Sequence, residues 1–243
     1  MNIPCRTPSA SKKSKSSADG SGPEWGRVEL SDVQLSRSSL RETELPVYPG
    51  IALADVNLVA SDEQADAALM ALLGAEVIGF DTESKPTFLK GEVSTGPHLV
   101  QLATETRAYL FPISWTSGHA VLKTILESPL VQKIGFGLGN DRTVLQSRLG
   151  IDVQNLIDMG EVLRGPGHRG TVGAKVAVAH FFGQKLQKHK RIGTSNWASR
   201  RLTPQQLLYA ANDAQVALLV YRAWQETREK QVDTLDPPSQ GLD

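Results

Sequence analysis

Asp81 and Glu83 stand one residue apart in VIGFDTE, Asp141 closes IGFGLGND, and Asp213 lies in LLYAANDA. Each acid sits at the end of an apolar segment or inside one. Strand alternation puts Asp81 and Glu83 on one face, and two carboxylates held that close need a cation, because each raises the other's pKa. Hard oxygen donors suit Mg²⁺ or Mn²⁺, ions that keep water and complete their shell with substrate phosphate. Asp213 falls in an apolar helical stretch with Leu208, Ala210, Val216, Ala217 and Val220, where an unpaired charge is costly; a shared metal removes that cost. Tyr209, four residues before Asp213, projects from the same helix face, so its phenol can hydrogen-bond a water aimed at phosphorus. Asp141, at a helix start, is read as capping that helix through its side chain while facing a second metal.

The elements that must position these groups follow from the patterning. Ser61 and Gln64 make a capping-box signature for a helix Asp62 to Leu73, after a short extended stretch at Val56 to Ala60. Three strands are predicted over Glu76–Glu83, His98–Thr104 and Ala108–Ile113, close enough in succession for an antiparallel meander. Alternation follows: a helix His119–Glu127, a strand Gln132–Gly137, a helix Asp141–Leu149 and a strand Leu156–Met159, which implies parallel pairing. The rest is helical, with Val172–Phe182, a loop through Trp197, and a long helix from Pro204 to about Arg228, Pro204 taking a favourable first-turn position. The fold class is therefore α/β, a mixed sheet flanked by helices.

The combination FDTE, GFGLGND and YAAND resembles the three exonuclease motifs of the DEDD superfamily, in the subgroup whose third motif reads Tyr-x-x-x-Asp. The other subgroup carries His five residues before the last Asp, where this chain has Leu208. GTSNWASRRLTPQQLLYAANDA is similar to the matching stretch of ribonuclease D and of the Werner-syndrome exonuclease domain, and IGFDTE, HLVQLAT and SNW lean toward the Werner-type branch. The resemblance spans about Val77 to Trp224. It implies a ribonuclease H-like fold of five strands with the second antiparallel. It also implies 3′-to-5′ hydrolysis of nucleic acid with release of nucleoside 5′-monophosphates, and two ions of Mg²⁺ or Mn²⁺ per site. By that resemblance Asp81, Glu83 and Asp213 hold the ion that activates water, and Asp81, with Asp141 acting through water, holds the ion at the leaving oxygen. Glu83 touches the terminal 3′ hydroxyl, and Tyr209 orients the attacking water. Thr82 is read with the substrate side of the site. One position departs from the Werner-type pattern: Ser84 stands where a bulky aromatic residue is common, so grip on the terminal base falls to another residue, with Phe88 and Leu102 as candidates.

Lys188, Lys190, Arg191, Arg200 and Arg201 cluster around SNW and read either as a phosphate-tracking groove or as a solvated loop, Lys190 and Arg191 being the expected contacts. Asn196 is placed with substrate, against a structural reading in which its amide fixes the loop while Trp197 packs under the final helix. The glycine-rich basic loop Arg164 to Arg169 is expected to move over substrate.

Composition sets the outer limits. The 243 residues, 40% of them hydrophobic, suffice for one sizeable α/β domain, predicted over residues 46–229 between disordered tails at 1–45 and 230–243. Net charge is +0, with 26 basic and 26 acidic residues, so nucleic-acid binding must come from local surface. Cys5, the single cysteine, excludes an internal disulfide framework. No apolar run approaches the roughly 18 needed to span a bilayer, and Pro4, Arg6 and Pro8 break any signal-peptide core, so no membrane association and a cytoplasmic location are expected. The segment Arg6–Ser17, with Lys12, Lys13 and Lys15, reads as a solvated tail, with a transit peptide or a nucleic-acid-binding arm as alternatives. The expected partner is a single-stranded nucleic-acid 3′ end; no obligate protein partner is implied, and a homo-oligomer is left open. Two other readings remain at this stage: degradation of very short RNA oligonucleotides, and a non-catalytic binding protein on the same fold.

Overall fold

Strand β2 (Val77–Glu83) runs through the middle of the molecule, and its alternation sorts the two halves of the core. Ile78 and Phe80 point to one side, where α1 (Asp62–Leu73), α2 (His119–Glu127) and α3 (Asp141–Leu149) cover them with Ala68, Leu72, Leu122, Ile125 and Leu145. Val77 points to the other side, toward α5 (Ala174–Phe182) and α7 (Pro204–Leu235), where Met159 of the short helix α4 (Met159–Val162) also packs. Each large apolar side chain fully buried in these layers contributes roughly 1.5–3 kcal/mol. The computed structural model describes residues 45–87, 91–165 and 170–235. The basic segment Arg6–Ser17, Phe88, residues 166–169 of the glycine-rich loop and residues 236–243 lie outside the described residues.

The sheet has six strands in the order β1-β4-β3-β2-β5-β6, with β1 at Val56–Leu58, β3 at Leu99–Ala103, β4 at Ala108–Pro112, β5 at Gln132–Gly135 and β6 at Leu156–Asp158. β2, β3 and β4 form the predicted antiparallel meander, and β5 and β6 add in parallel beside β2. From β2 onward this is the expected five-stranded arrangement with its second strand reversed. The sixth strand is the correction: the short extended stretch before α1 pairs in parallel with β4, Val56 opposite Ala108 and Leu58 opposite Leu110. Among the described residues no helix is long and apolar enough to cross a membrane.

The helix starts follow local chemistry. Ser61 Oγ accepts from Gln64 N–H at 3.3 Å and Gln64 Oε1 accepts from Ala60 N–H at 2.9 Å, so the predicted box forms one residue wider than its usual reach. α7 opens on a second, reciprocal box: Thr203 Oγ1 accepts from Gln206 N–H at 3.2 Å and Gln206 Oε1 accepts from Thr203 N–H at 3.0 Å. The helix then runs to Leu235, seven residues beyond the expected end near Arg228. No proline or glycine interrupts Thr227 to Leu235, and nothing local stops propagation there. In β5, Lys133 is fully buried on the face of Ile78; its Nζ donates to the Ser128 carbonyl at 2.6 Å, and burial lowers its pKa to about 8.

α7 lies against the sheet at very short range. A Cβ on Gly79 would meet the Ala214 carbonyl oxygen at 1.9 Å, and the facing helix residues Ala210, Ala211, Ala214 and Ala217 are small and fully buried. We therefore expect Gly79→Ala to destabilise the fold by about 3 kcal/mol in urea denaturation, because backbone rather than a side chain must yield. Gly139→Ala, where the added methyl meets open space, should stay within about 0.5 kcal/mol of the parent.

Candidate active site

Asp81 and Glu83 project from the last turn of the pleat on the α7 face, opposite Gln101 and Leu99 of β3. The residue between them faces the other way: Thr82 Oγ1 donates to Asp141 Oδ1 in a very short hydrogen bond, and Thr82 N–H donates to Asp81 Oδ1 at 2.8 Å. Thr82 thus links two of the acids from between them. Asp141 is the first residue of α3 and does not cap it; the preceding residue, Asn140, makes no side-chain cap either. The capping expectation fails because the Asp141 carboxylate is turned toward β2, where Thr82 holds it. Its backbone is placed by Asp158 at the end of β6, whose carboxylate accepts from Gly137 N–H at 3.0 Å, Leu138 N–H at 2.8 Å and Gly160 N–H at 2.8 Å. Gly137 takes φ +72°, a left-handed turn that a side chain would strain.

Asp213 and Tyr209 come from α7, one turn apart as predicted. The Tyr209 phenol lies over Gly193, where a Cβ would stand 2.7 Å from its oxygen, and its ring packs beside Trp197 with centroids 6.1 Å apart. Trp197 is buried, with its indole N–H donating to the Gly193 carbonyl at 3.1 Å. The neighbouring Asn196 accepts from Ala198 N–H at 3.2 Å, closing a turn. The structural reading of these two residues is therefore the one with contacts. Asn212, beside Asp213, accepts from Ile51 N–H at 2.9 Å and donates to the Leu208 carbonyl at 2.7 Å. This bond seats the segment before β1 on α7, and Gly50, at φ +67°, leaves room for the Asn212 amide.

Among the basic residues, Lys188 stands apart. Its Nζ contacts Asp213 Oδ1 at 3.0 Å and lies 5.9 Å from the Tyr209 ring centre. Lys190 and Arg191 begin the short helix α6 (Lys190–Gly193), and both are exposed, as are Arg200 and Arg201. The predicted basic cluster thus divides into one residue inside the site and several on the surface beside it. A cleft of about 300 Å³ opens next to Tyr209 and Asp213, walled by Tyr48, Pro49, Leu186 and Leu208. Leu102, a candidate for gripping the terminal base, is fully buried on the opposite face of the sheet with Phe80, so it cannot take that part.

The charges are strained by this gathering. Burial, then Asp213, raises Asp81 well above the carboxylate range; burial, then Asp81 and Asp213, pushes Glu83 up to about 9. Asp141 is also raised, by burial first and against its bond from Thr82. Burial would lower the Lys188 ammonium, but Asp213 and Asp81 outweigh it and raise the pKa. Asp213 is raised as well, burial exceeding the pull of Lys188. The two partners thus point differently, one favouring its charge and the other not; the 3.0 Å contact and the surrounding carboxylates favour a charged lysine. Burial and the neighbouring acids keep the Tyr209 phenol protonated. Among the described residues no three acidic, histidine or cysteine side chains are yet gathered closely enough to ligate one ion. The donor chemistry nevertheless fits a divalent cation: oxygen donors whose ionised forms are opposed by one another, with a lysine cation already on one of them.

Gln101 is the residue that motif reading left without a role, and Lys188 was read only as one member of the basic cluster around SNW. Gln101 is fully buried directly opposite Asp81, and neither of its amide atoms has a protein partner among the described residues. A polar residue inside LVQLA was the signal available for Gln101, and Lys188 had only its distance in sequence from the exposed pair Lys190 and Arg191.

Comparison with known proteins agrees with this geometry. A family model described as 3′-5′ exonuclease matches residues 56–227. The mouse bifunctional 3′-5′ exonuclease/ATP-dependent helicase WRN is 29% identical over 215 residues, covering 82% of this chain and 15% of its own length. The exonuclease mut-7 homolog of Aedes aegypti is 32% identical over 196 residues, covering 69% of this chain and 26% of its own. The chain thus spans a minor part of these relatives. Among solved structures, the Aedes aegypti Nibbler EXO domain superposes with a TM-score of 0.63 at 27% identity, covering 74% of this chain and 92% of that one. Escherichia coli RNase D shares the fold at a TM-score of 0.61 and 23% identity, covering 72% of this chain and 46% of that one. With the family model spanning residues 56–227, most of the chain, the chain belongs to the 3′-5′ exonuclease family.

Proposed function

We propose that this chain is a metal-dependent 3′-to-5′ exonuclease that hydrolyses the terminal phosphodiester of a single-stranded nucleic acid and releases a nucleoside 5′-monophosphate. The observation that carries this reading is the meeting of Asp81 and Glu83 from β2 with Asp213 and Tyr209 from α7, while Thr82 holds Asp141 at the same strand end. Asp81, Glu83 and Asp213 would hold one Mg²⁺ or Mn²⁺, and Asp81 with Asp141 a second. Bound there, such ions supply Lewis-acid stabilisation to the attacking and leaving oxygens of an in-line displacement.

The chain's own side chains do the rest. Water attacks phosphorus, the bond from phosphorus to the 3′ oxygen of the preceding nucleotide breaks, and that oxygen takes up a proton. The protonated Tyr209 phenol, fixed by Gly193 and Trp197, hydrogen-bonds the attacking water and sets its line of approach. Glu83, at the end of β2, would bind the terminal 3′ hydroxyl. The exposed Lys190 and Arg191 extend the site along the strand's phosphates, a contribution that salt should weaken.

End-labelled DNA and RNA strands of matched sequence, followed with Mg²⁺, Mn²⁺ and a chelator, should shorten one nucleotide at a time from the 3′ end, and the chelator should stop the reaction. Asp81→Asn and Asp213→Asn should abolish cleavage with folding intact, and Tyr209→Phe should lower the rate by about 10²–10⁴. Faster cleavage of a dinucleotide than of a long strand would redirect the substrate to very short oligonucleotides. Binding without cleavage would reject the catalytic reading.

The raised carboxylates also predict how the metal-free protein responds to pH. Glu83 titrates near 9 in the folded chain against an ordinary 4.5, so between these values the folded state binds more protons than the unfolded one. Its contribution to stability is present at low pH and is lost as pH rises through that window. The metal-free melting temperature should therefore fall from about pH 5 to about pH 8. Added Mg²⁺ should raise it more at the upper end, because the ion competes with fewer protons there. A flat profile in differential scanning calorimetry would contradict the electrostatic account.

A further inference from the structure

The segment that carries Lys188 is anchored on both sides. Tyr48 N–H donates to the Lys185 carbonyl at 3.0 Å and Lys185 N–H to the Pro46 carbonyl at 2.8 Å, a parallel bridge that pins the chain three residues before Lys188. Leu186 is buried against the α5–α7 layer, and α6 begins two residues after Lys188, with Ile192 N–H donating to the His189 carbonyl at 2.9 Å. Between these anchors the side chains alternate: Leu186 is buried, Gln187 and His189 are exposed, and Lys188 turns inward to the acids. Its ammonium is held on Asp213 and its side chain keeps 29% exposure, so a flexible stem joins an anchored backbone to a partly exposed tip.

We propose that Lys188 is a tethered cation of the active site: it neutralises Asp213 before loading, yields that carboxylate to an incoming divalent ion, and then offers its ammonium to the phosphate of the bound strand. This rests on the metal-dependent reading of the site. Packing brings Asp81 and Glu83 of β2 near Asp213 of α7, so a lysine ammonium or a divalent ion relieves the repulsion among whichever of these carboxylates are ionised. A lysine supplies positive charge without blocking the site, since its flexible stem moves the charge while the backbone stays in place. With Asp213, Asp81 and Glu83 all engaged by metal ions, the anion left for the released ammonium is the substrate phosphate.

The test uses the full chain and reads metal binding separately from activity. Mn²⁺ binding without substrate is measured by the electron paramagnetic resonance of the free ion, for the parent, Lys188→Met, Lys188→Gln and Lys188→Arg. Both neutral variants should bind Mn²⁺ at least about fivefold more tightly, the factor for an ion pair worth roughly 1 kcal/mol, because no resident cation has to leave. Lys188→Arg should stay near the parent. At saturating Mn²⁺, single-turnover cleavage of an end-labelled strand should fall about tenfold or more in both neutral variants, the loss of one charge-assisted contact to phosphate. Tighter metal with slower cleavage is a combination that a merely structural lysine would not give. Unchanged or weaker Mn²⁺ binding, or undiminished cleavage, overturns the proposal. Asp213→Asn is run alongside: if it cleaves like the parent, the functional reading itself fails, whereas an inactive Asp213→Asn with unaltered Lys188 variants removes only the role given to the lysine.

Discussion

The close seating of α7 on β2 across Gly79 is the contact on which the rest of this molecule depends. A strand normally keeps a helix away by the thickness of its side chains; here one partner has none and the other presents alanines, so helix backbone reaches strand backbone. The approach delivers Asp213 to the same place that the pleat delivers Asp81 and Glu83. Side chains larger than alanine at Ala210 or Ala214 would lift the helix and separate the acids. Further along, the hold is polar: Gln215 donates to the Glu105 carbonyl at 2.8 Å and Arg222 pairs with Glu105 at 3.0 Å, which tie the helix to the β3–β4 turn.

That packing has an electrostatic cost. Carboxylates brought together under partial burial oppose one another's ionisation, and the energy comes from the apolar layers that hold β2 and α7 in place. The chain answers with Lys188, and by distributing the remaining acid, Asp141, to the other side of β2, where Thr82 engages it. Support is equally distributed. Asp158 orders the loop ahead of Asp141, Asn212 locks the segment Gly50–Ile51 to α7, and Gly193 with Trp197 shapes the seat of Tyr209. A site assembled from strand, helix and loop in this way is rigid in its supports and charged at its centre, which suits binding of cations and a polyanion.

What could be read in the chain was local. The spacing of Asp81 and Glu83 reports a strand face, Tyr209 and Asp213 report a helix face, and Ser61 with Gln64 reports a helix start; each depends on neighbours a few residues away. The sixth strand was only half legible: Val56–Leu58 read as an extended stretch, but its place in the sheet depends on pairing with Ala108–Leu110, about fifty residues on. Asp141 misled because an acid at a helix start has two partners open to it, the helix amides or a group across the fold, and only the fold brings Thr82 near. Lys188 was concealed among lysines and arginines that look alike in text, and the bridge between Val47 and Lys185 that aims it joins segments far apart in the chain. The capping pair Thr203 and Gln206, found only in the structure, supplies the start of α7 that Pro204 suggested.

The acids of β2 and α7 are proposed to be a cation site whose resident charge is Lys188. Anomalous diffraction from crystals soaked in Mn²⁺ tests it most directly. Mn²⁺ is expected among Asp81, Glu83 and Asp213, with Lys188 Nζ withdrawn from Asp213. Mn²⁺ bound only elsewhere, or crystals in which Lys188 keeps its contact with Asp213 at saturating Mn²⁺, would contradict it.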